Sequence, residues 1–346
     1  MINVGILGAT GYAGVELIRL LIKHPDVKIT CIVSQSYAGQ NLSDIYPHLK
    51  GILDMTCDSL EIDTIAQKCE IVFTALPHGV SKAVIPELMQ ANVKVIDLSG
   101  DFRYNDEKVY EKWYGEPHTH PALLAQSVYG LPELHRNDIA KTTLVGNPGC
   151  YTTCSILALA PLLATQMIDP KSIIIDAKSG VSGAGRSLAQ PLHFCECTEN
   201  MKAYKIATHR HTSEIEQELS IIAKEDISLS FTPHLVPMKR GIIITVYANL
   251  QKACTTDALL DEYKKYYDGE FFIRIYKEGT LPETKYVAGS NFVDIGLVVD
   301  ARLGRVIIVS ALDNLIKGAA GQAVQNMNIL AGICEQTGLT SSGLYL

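Results

Sequence analysis

The 346-residue chain has no charge-free stretch of membrane-spanning length, no long run of like charge and no repeated cysteine spacing. The first absence excludes a transmembrane helix, which needs about 20 consecutive apolar residues. The opening run Met1–Gly8 is too short for a signal-peptide core and has no basic flank, so no secretory leader is expected. With 19% charged and 47% hydrophobic residues, the composition is that of a globular chain, not a disordered one. A net charge of −7 and a pI near 5.8 deny it the broad basic surface of a nucleic-acid binder, leaving small molecules as the expected partners. Nine cysteines cannot all pair internally and follow no disulfide framework, which fits a reducing cytoplasm. Cys195-Glu196-Cys197 lacks the second ligand pair of a structural zinc site, so no metal is expected.

What is present divides into two halves, as the length suggests. Ile2, Val4, Ile6 and Leu7 read as a buried strand, followed directly by Gly8-Ala9-Thr10-Gly11-Tyr12-Ala13-Gly14 and a helix with Val15, Leu17, Ile18, Leu20, Leu21 and Ile22 on its apolar face. His24-Pro25 stops that helix, and Val27–Val33 makes a second strand. This strand, glycine loop, helix and strand span the roughly 30 residues of a dinucleotide-binding unit, in which pyrophosphate approaches the helix N-terminus. Gly8, Thr10, Gly11, Tyr12, Ala13 and Gly14 are therefore candidate cofactor contacts. Ser34-Gln35-Ser36 ends the second strand without the carboxylate that holds an NAD ribose hydroxyl. Ser34 and Ser36 can instead face a 2′-phosphate, which favours NADP. Further strands over 71–76 and 93–98 would place His78 and Ser99-Gly100-Asp101-Phe102-Arg103 at the carboxyl ends of a parallel sheet, with His78 a loop contact and Arg103 an anion ligand.

The second half opens on Gly146-Asn147-Pro148-Gly149-Cys150-Tyr151-Thr152-Thr153, a breaker followed by helical spacing through Ile156, Leu157, Leu159, Ala160 and Leu163. Cys150 thus sits at a helix N-terminus, where free N–H groups and the dipole lower thiol pKa values to roughly 3.5–7.5 and can hold an oxyanion. Cys154, one turn on, reads as packing. After a strand over 172–178, the loop Ser179–Arg186 offers glycine-rich backbone N–H groups and the guanidinium of Arg186, a possible anion wrap. His209-Arg210-His211 precedes a helix that Thr212 would cap. His211 is the first choice for proton transfer, His209 the second. Strand-like runs at 242–247, 271–276, 291–299 and 305–311 point to a mixed or antiparallel sheet, and a glycine- and alanine-rich helix from about Asn314 to Gly332 returns to the first domain.

With these pieces in order, the chain resembles the longer, type 1 N-acetyl-gamma-glutamyl-phosphate reductases, NADP-dependent enzymes of arginine biosynthesis. The likeness runs end to end. It rests on Gly8–Gly14, Gly146–Thr153, His209-Arg210-His211-Thr212, Pro233-His234-Leu235-Val236-Pro237-Met238 and Gly318–Asn328. It implies an α/β fold, with a doubly wound Rossmann domain over 1–149 and about 313–346, and an α+β catalytic and oligomerisation domain on a mixed sheet over 150–312. It further implies a thioacyl intermediate on Cys150, a histidine acid–base, Asn314 among the NADP contacts, and Arg103, Ser182 and Arg186 holding phosphate or carboxylate in a homo-oligomer, a dimer or tetramer. Aspartate-semialdehyde dehydrogenase, the carrier-protein-linked reductase of lysine biosynthesis, or an NADP-sensing regulator without turnover are the alternatives. Three positions depart from the family pattern: Gly100 where alanine is common, Ser213 where proline is common, and Gln35 where a basic residue is often seen.

Overall fold

Short apolar runs separated by helices build the first unit, Met1–Pro148 with Ala319–Thr340, in the computed structural model, which describes residues 1–345. Strands β1 (Ile2–Leu7), β2 (Val27–Val33), β3 (Ile71–Thr74), β4 (Lys94–Asp97), β5 (Val128–Tyr129) and β6 (Leu144–Gly146) form one parallel sheet in the order β2-β1-β3-β4-β6-β5. Every residue of β3 is buried, as a parallel sheet covered on both faces requires. The order reverses at β1, so the glycine loop leaving that strand lies at a switch point, where open α/β sheets bind ligands. The Tyr12–Leu21 helix follows, burying Leu17, Ile18, Leu20 and Leu21. The Gly321–Leu330 helix completes the unit. It is polar yet buried, and several of its amide groups find partners: Asn326 Nδ2 donates to Gly130 O (2.8 Å) and Asn147 Oδ1 (3.0 Å), and Asn328 Oδ1 bonds His24 Nε2 (2.9 Å).

The second unit comprises Gly149–Gly318 and the C-terminal residues from Ser341. Strands β7 (Ile174–Gly180), β8 (Lys202–Ala203), β9 (Ser230–Val236), β10 (Ile242–Asn249), β11 (Ile273–Ile275), β12 (Val293–Asp300) and β13 (Arg305–Leu312) form a mixed sheet in the order β11-β12-β13-β10-β7-β9-β8. The pairs β11/β12 and β7/β9 are parallel and the rest antiparallel. Along β10, Ile242, Ile244, Val246 and Ala248 are buried while their neighbours are half-buried, the period of two that marks one packed face. The Cys150–Ala164 helix is buried from Tyr151 to Leu163, so it is a core helix with no solvent stripe. Tyr267 donates to Leu157 O (2.6 Å) and Tyr263 to Ala158 O, tying the Thr256–Tyr266 helix to it.

Three expectations are corrected. The helix read from about 314 to 332 is broken: Ile316–Ala320 is a π-helical turn, with Gly318 N–H donating five residues back to Asp313 O (2.9 Å), and the α-helix begins at Gly321. The chain returns to the first unit only at Ala319, because Asp313 accepts from Gly289 N–H (2.6 Å) and Arg240 (3.1 Å) and so stays with the second. The helix after the histidines starts at His211 with Arg210 as its cap position, two residues before the Thr212 cap read from the sequence.

Candidate active site

Cys150 is the first residue of its helix, with Gly149 at the cap position and no side chain capping the turn. The first-turn N–H groups have no intrahelical acceptor, which makes this helix start a favourable place for negative charge. Cys150 is partly exposed, whereas Cys154 is fully buried and donates to Ser310 Oγ (3.4 Å). Burial raises the Cys154 thiol to about 12, which leaves it inert. The π turn packs against the start of the Cys150 helix: a Cβ on Gly318 would lie 2.7 Å from Cys150 Cβ.

His211 opens the neighbouring helix and reaches back over Gly149. A Cβ on Gly149 would run into His211 Nε2, so a bare Cα at 149 is what lets the imidazole lie beside the cysteine turn. Glu214, one turn later and fully buried, accepts Gly149 N–H on Oε2 (3.2 Å) and stands with Oε1 4.0 Å from His211 Nε2. One carboxylate thereby joins the cysteine's cap residue to the imidazole. The sequence reading missed Glu214 as a functional residue; its signal was the i, i+3 spacing from His211. Ser213, at the position where proline is common, donates to Arg210 O (2.9 Å) and closes the first turn.

His209 packs edge-on against Tyr151, Tyr204, His211 and Phe231, and its Nδ1 accepts His211 N–H (3.2 Å). Burial, then His211 and Lys205, pushes it down to about 2, so it is neutral in the working range. Ser182 Oγ accepts from Asn314 Nδ2 (3.0 Å), and Asn314 Oδ1 accepts Gly241 N–H (2.7 Å). Asn314 therefore clamps loops of the second unit and stands apart in the chain from the glycine loop. The anion wrap of 179–186 is curtailed, since Gly180, Val181 and Ser182 donate their N–H groups to Gly241, Met238 and Lys239 carbonyls. Arg186 is exposed on this loop.

In the first unit, Gly8 has φ +85° and a Cβ on Gly14 would lie 2.7 Å from Ala9 Cα, so the loop folds tightly onto the helix start. That helix also lacks a side-chain cap, which leaves its first-turn N–H groups for a pyrophosphate. Thr10 Oγ1 and Ser34 Oγ bond at 2.8 Å, with Ser34 buried and Gln35 and Ser36 exposed beyond it. Asp58 lies beside the end of β2, but its carboxylate bonds Lys68 and Cys31, each at 3.4 Å. These residues fit a nicotinamide dinucleotide. Arg103 is buried and donates to Leu98 O (2.9 Å), and His78 accepts Gly100 N–H (2.9 Å), so both shape the 99–103 loop.

A parallel-sheet unit with a dinucleotide loop and a mixed-sheet unit with an N-terminal helix cysteine define a semialdehyde dehydrogenase. Residues 3–142 match its NAD binding domain and 150–314 its dimerisation domain. The same fold occurs in aspartate semialdehyde dehydrogenase II from Vibrio cholerae (TM-score 0.74, 19% identity, 96% of this chain and 99% of that chain). It also occurs in aspartate semialdehyde dehydrogenase with NADP from Candida albicans (TM-score 0.73, 17% identity, 96% and 98%). Within this class the chain belongs to the N-acetyl-gamma-glutamyl-phosphate reductase family. It is 62% identical to the enzyme of that name from Acetivibrio thermocellus and 53% identical to that from Desulforamulus reducens, covering 100% of each chain.

Proposed function

We propose that the chain reduces N-acetyl-gamma-glutamyl phosphate to N-acetylglutamate 5-semialdehyde and phosphate through a thioacyl intermediate on Cys150. The observation that carries this reading is the pairing of Cys150 at an uncapped helix start with His211 lying over Gly149. Cys150 Sγ attacks the acyl carbonyl carbon, the C–S bond forms, and phosphate leaves as the C–O bond to it breaks. The first-turn N–H groups stabilise the oxyanion that precedes each collapse. NADPH, when bound at the glycine loop, supplies the hydride that the thioester accepts. His211 protonates the developing oxygen and takes that proton back as the thiohemiacetal releases the aldehyde and frees the thiolate. Glu214 fixes the imidazole and the Gly149 amide for both events. The exposed guanidinium of Arg186 serves the substrate's anionic groups, while Arg103 and Ser182 hold their loops in shape.

The absence of a free carboxylate at the end of β2 among the described residues supports NADPH over NADH, with the exposed Ser36 hydroxyl offered to a 2′-phosphate. We further infer a homo-oligomer joined through the second unit, and a cytoplasmic setting in keeping with nine free cysteines among the described residues. No helix among the described residues is long and apolar enough to cross a membrane. The test is phosphate-dependent NADP reduction with N-acetylglutamate semialdehyde beside aspartate semialdehyde. The acetylated substrate should win clearly, and NADP should outperform NAD in kcat/KM. Cys150→Ser should lose nearly all turnover while Cys154→Ser keeps most of it. Equal loss at both cysteines, or preference for aspartate semialdehyde, overturns the reading.

A further inference from the structure

A second sulfur centre lies in the first unit. Strands β1 and β2 pair Val4 with Ile29 but Gly5 with Cys31, so the ladder skips Thr30 and is irregular at the cysteine. Ladder partners share a face of the sheet, which sets the Cys31 side chain beside the bare Cα of Gly5. A Cβ built on Gly5 would lie 2.8 Å from Cys69 Sγ and 3.6 Å from Cys69 Cβ. The space a side chain at 5 would occupy is thus filled by the sulfur of Cys69, the residue that ends the Ile62–Lys68 helix. Both thiols are buried at this point of the sheet, and Thr30 Oγ1 stands 3.4 Å from Cys69 Sγ.

We propose that Cys31 and Cys69 form a redox modification site, a dithiol that closes to a disulfide under hydrogen peroxide and thereby weakens NADPH binding. Cys69 sulfur attacks one peroxide oxygen, forming S–O as O–O breaks and one water leaves with the thiol proton. Cys31 then attacks the Cys69 sulfur, forming S–S as S–O breaks, and its proton departs with the second water. Two thiols and one peroxide give one disulfide and two waters, so the electrons balance. Cys31 faces the Asp58 carboxylate, which opposes a thiolate there, whereas Cys69 stands beside the Thr30 hydroxyl, which can donate to one. Cys69 is accordingly the attacking sulfur and Cys31 the resolving one.

The route to the cofactor is short. Cys31 donates to Asp58 Oδ2 (3.4 Å), while Asp58 N–H donates to Ile32 O (2.8 Å) and Asp58 O accepts Ser34 N–H (3.3 Å). Oxidation removes the Cys31 proton from this carboxylate and draws the irregular ladder toward the Ile62–Lys68 helix, displacing the strand end that carries Ser34 and Ser36. This consequence rests on the glycine loop being the NADPH site; formation of the disulfide does not.

The experiment uses the full chain carrying Cys150→Ser, so that the reactive cysteine cannot confound the result. After peroxide treatment, non-reducing digestion and mass spectrometry should yield a Cys31–Cys69 linked peptide that dithiothreitol removes. NADPH fluorescence titration should show about tenfold weaker binding in the oxidised form, the scale of one hydrogen bond to a charged group. Adding Cys69→Ser, which keeps the Cys31–Asp58 bond and has its folding checked by circular dichroism, should leave binding by the reduced protein unchanged and abolish the peroxide effect. Oxidation confined to exposed cysteines such as Cys195 and Cys334, with no Cys31–Cys69 peptide, overturns the site. The linked peptide with unaltered NADPH affinity overturns its coupling to the cofactor.

Discussion

His209 and His211 are two residues apart and serve the reaction differently. The sequence offered both for proton transfer, but His209 is held neutral among aromatic rings. Its Nδ1 instead fixes the backbone at His211. His211→Asn should lower kcat by about 10²–10⁴-fold with a much smaller change in KM. His209→Asn should lower kcat less, also with little effect on KM, because it misplaces a proton carrier. Glu214→Gln keeps an acceptor for Gly149 N–H and removes only the charge, so a kcat loss there measures what the carboxylate contributes to His211. Steady-state kinetics at saturating NADP separates the three. A rise in KM with kcat intact for His209→Asn would make that residue a substrate-binding group instead.

At the scale of elements, most of the fold was legible because its signals are local. The glycine loop between β1 and the first helix and the breaker before Cys150 declare themselves by residue type, and the strands of the second unit by β-branched runs. β9 was not legible as a strand, because Pro233 within it reads as loop; the strand tolerates it next to the sheet's edge, covered outside only by the two-residue β8. The π turn at Ile316–Ala320 and the role of Glu214 also depend on contacts between distant segments, which periodicity cannot report. The same holds for Gly100. The Tyr114 hydroxyl occupies the place where a Cβ on residue 100 would stand, with Tyr114 Cζ at 2.8 Å and His78 Nδ1 at 3.0 Å, and Tyr114 is stacked on Tyr110 at 4.4 Å. The departure from the family's alanine is thus matched by a tyrosine oxygen. Gly100→Ala should destabilise the protein by about 1–3 kcal/mol through overpacking. Adding Tyr114→Phe should recover part of that loss. Thermal midpoints of the two variants decide it; an unchanged midpoint for Gly100→Ala means the loop yields freely.

Across the whole molecule, buried histidines share one device. His24 accepts Asp26 N–H, His118 accepts His120 N–H and His209 accepts His211 N–H, each on Nδ1 at 3.2 Å. A second proton on any of these rings would occupy the lone pair that receives the backbone, and each ring is buried enough that desolvation lowers its pKa below the ordinary value of about 6.5. A histidine whose folded pKa is depressed binds fewer protons folded than unfolded. Its penalty is absent above the unfolded value and grows as pH falls through that value toward the folded one. Stability against urea should therefore decline between about pH 7.5 and 5.5, above the range where ordinary carboxylates titrate. Asp97 acts in the opposite sense, because burial raises its carboxyl and acid relieves that strain. Replacing one ring isolates the histidine part: His24→Gln should flatten the decline in the urea midpoint relative to the unmodified chain. A midpoint that holds constant or rises over this interval, or a slope untouched by His24→Gln, would show that these rings accept protons without loosening the fold.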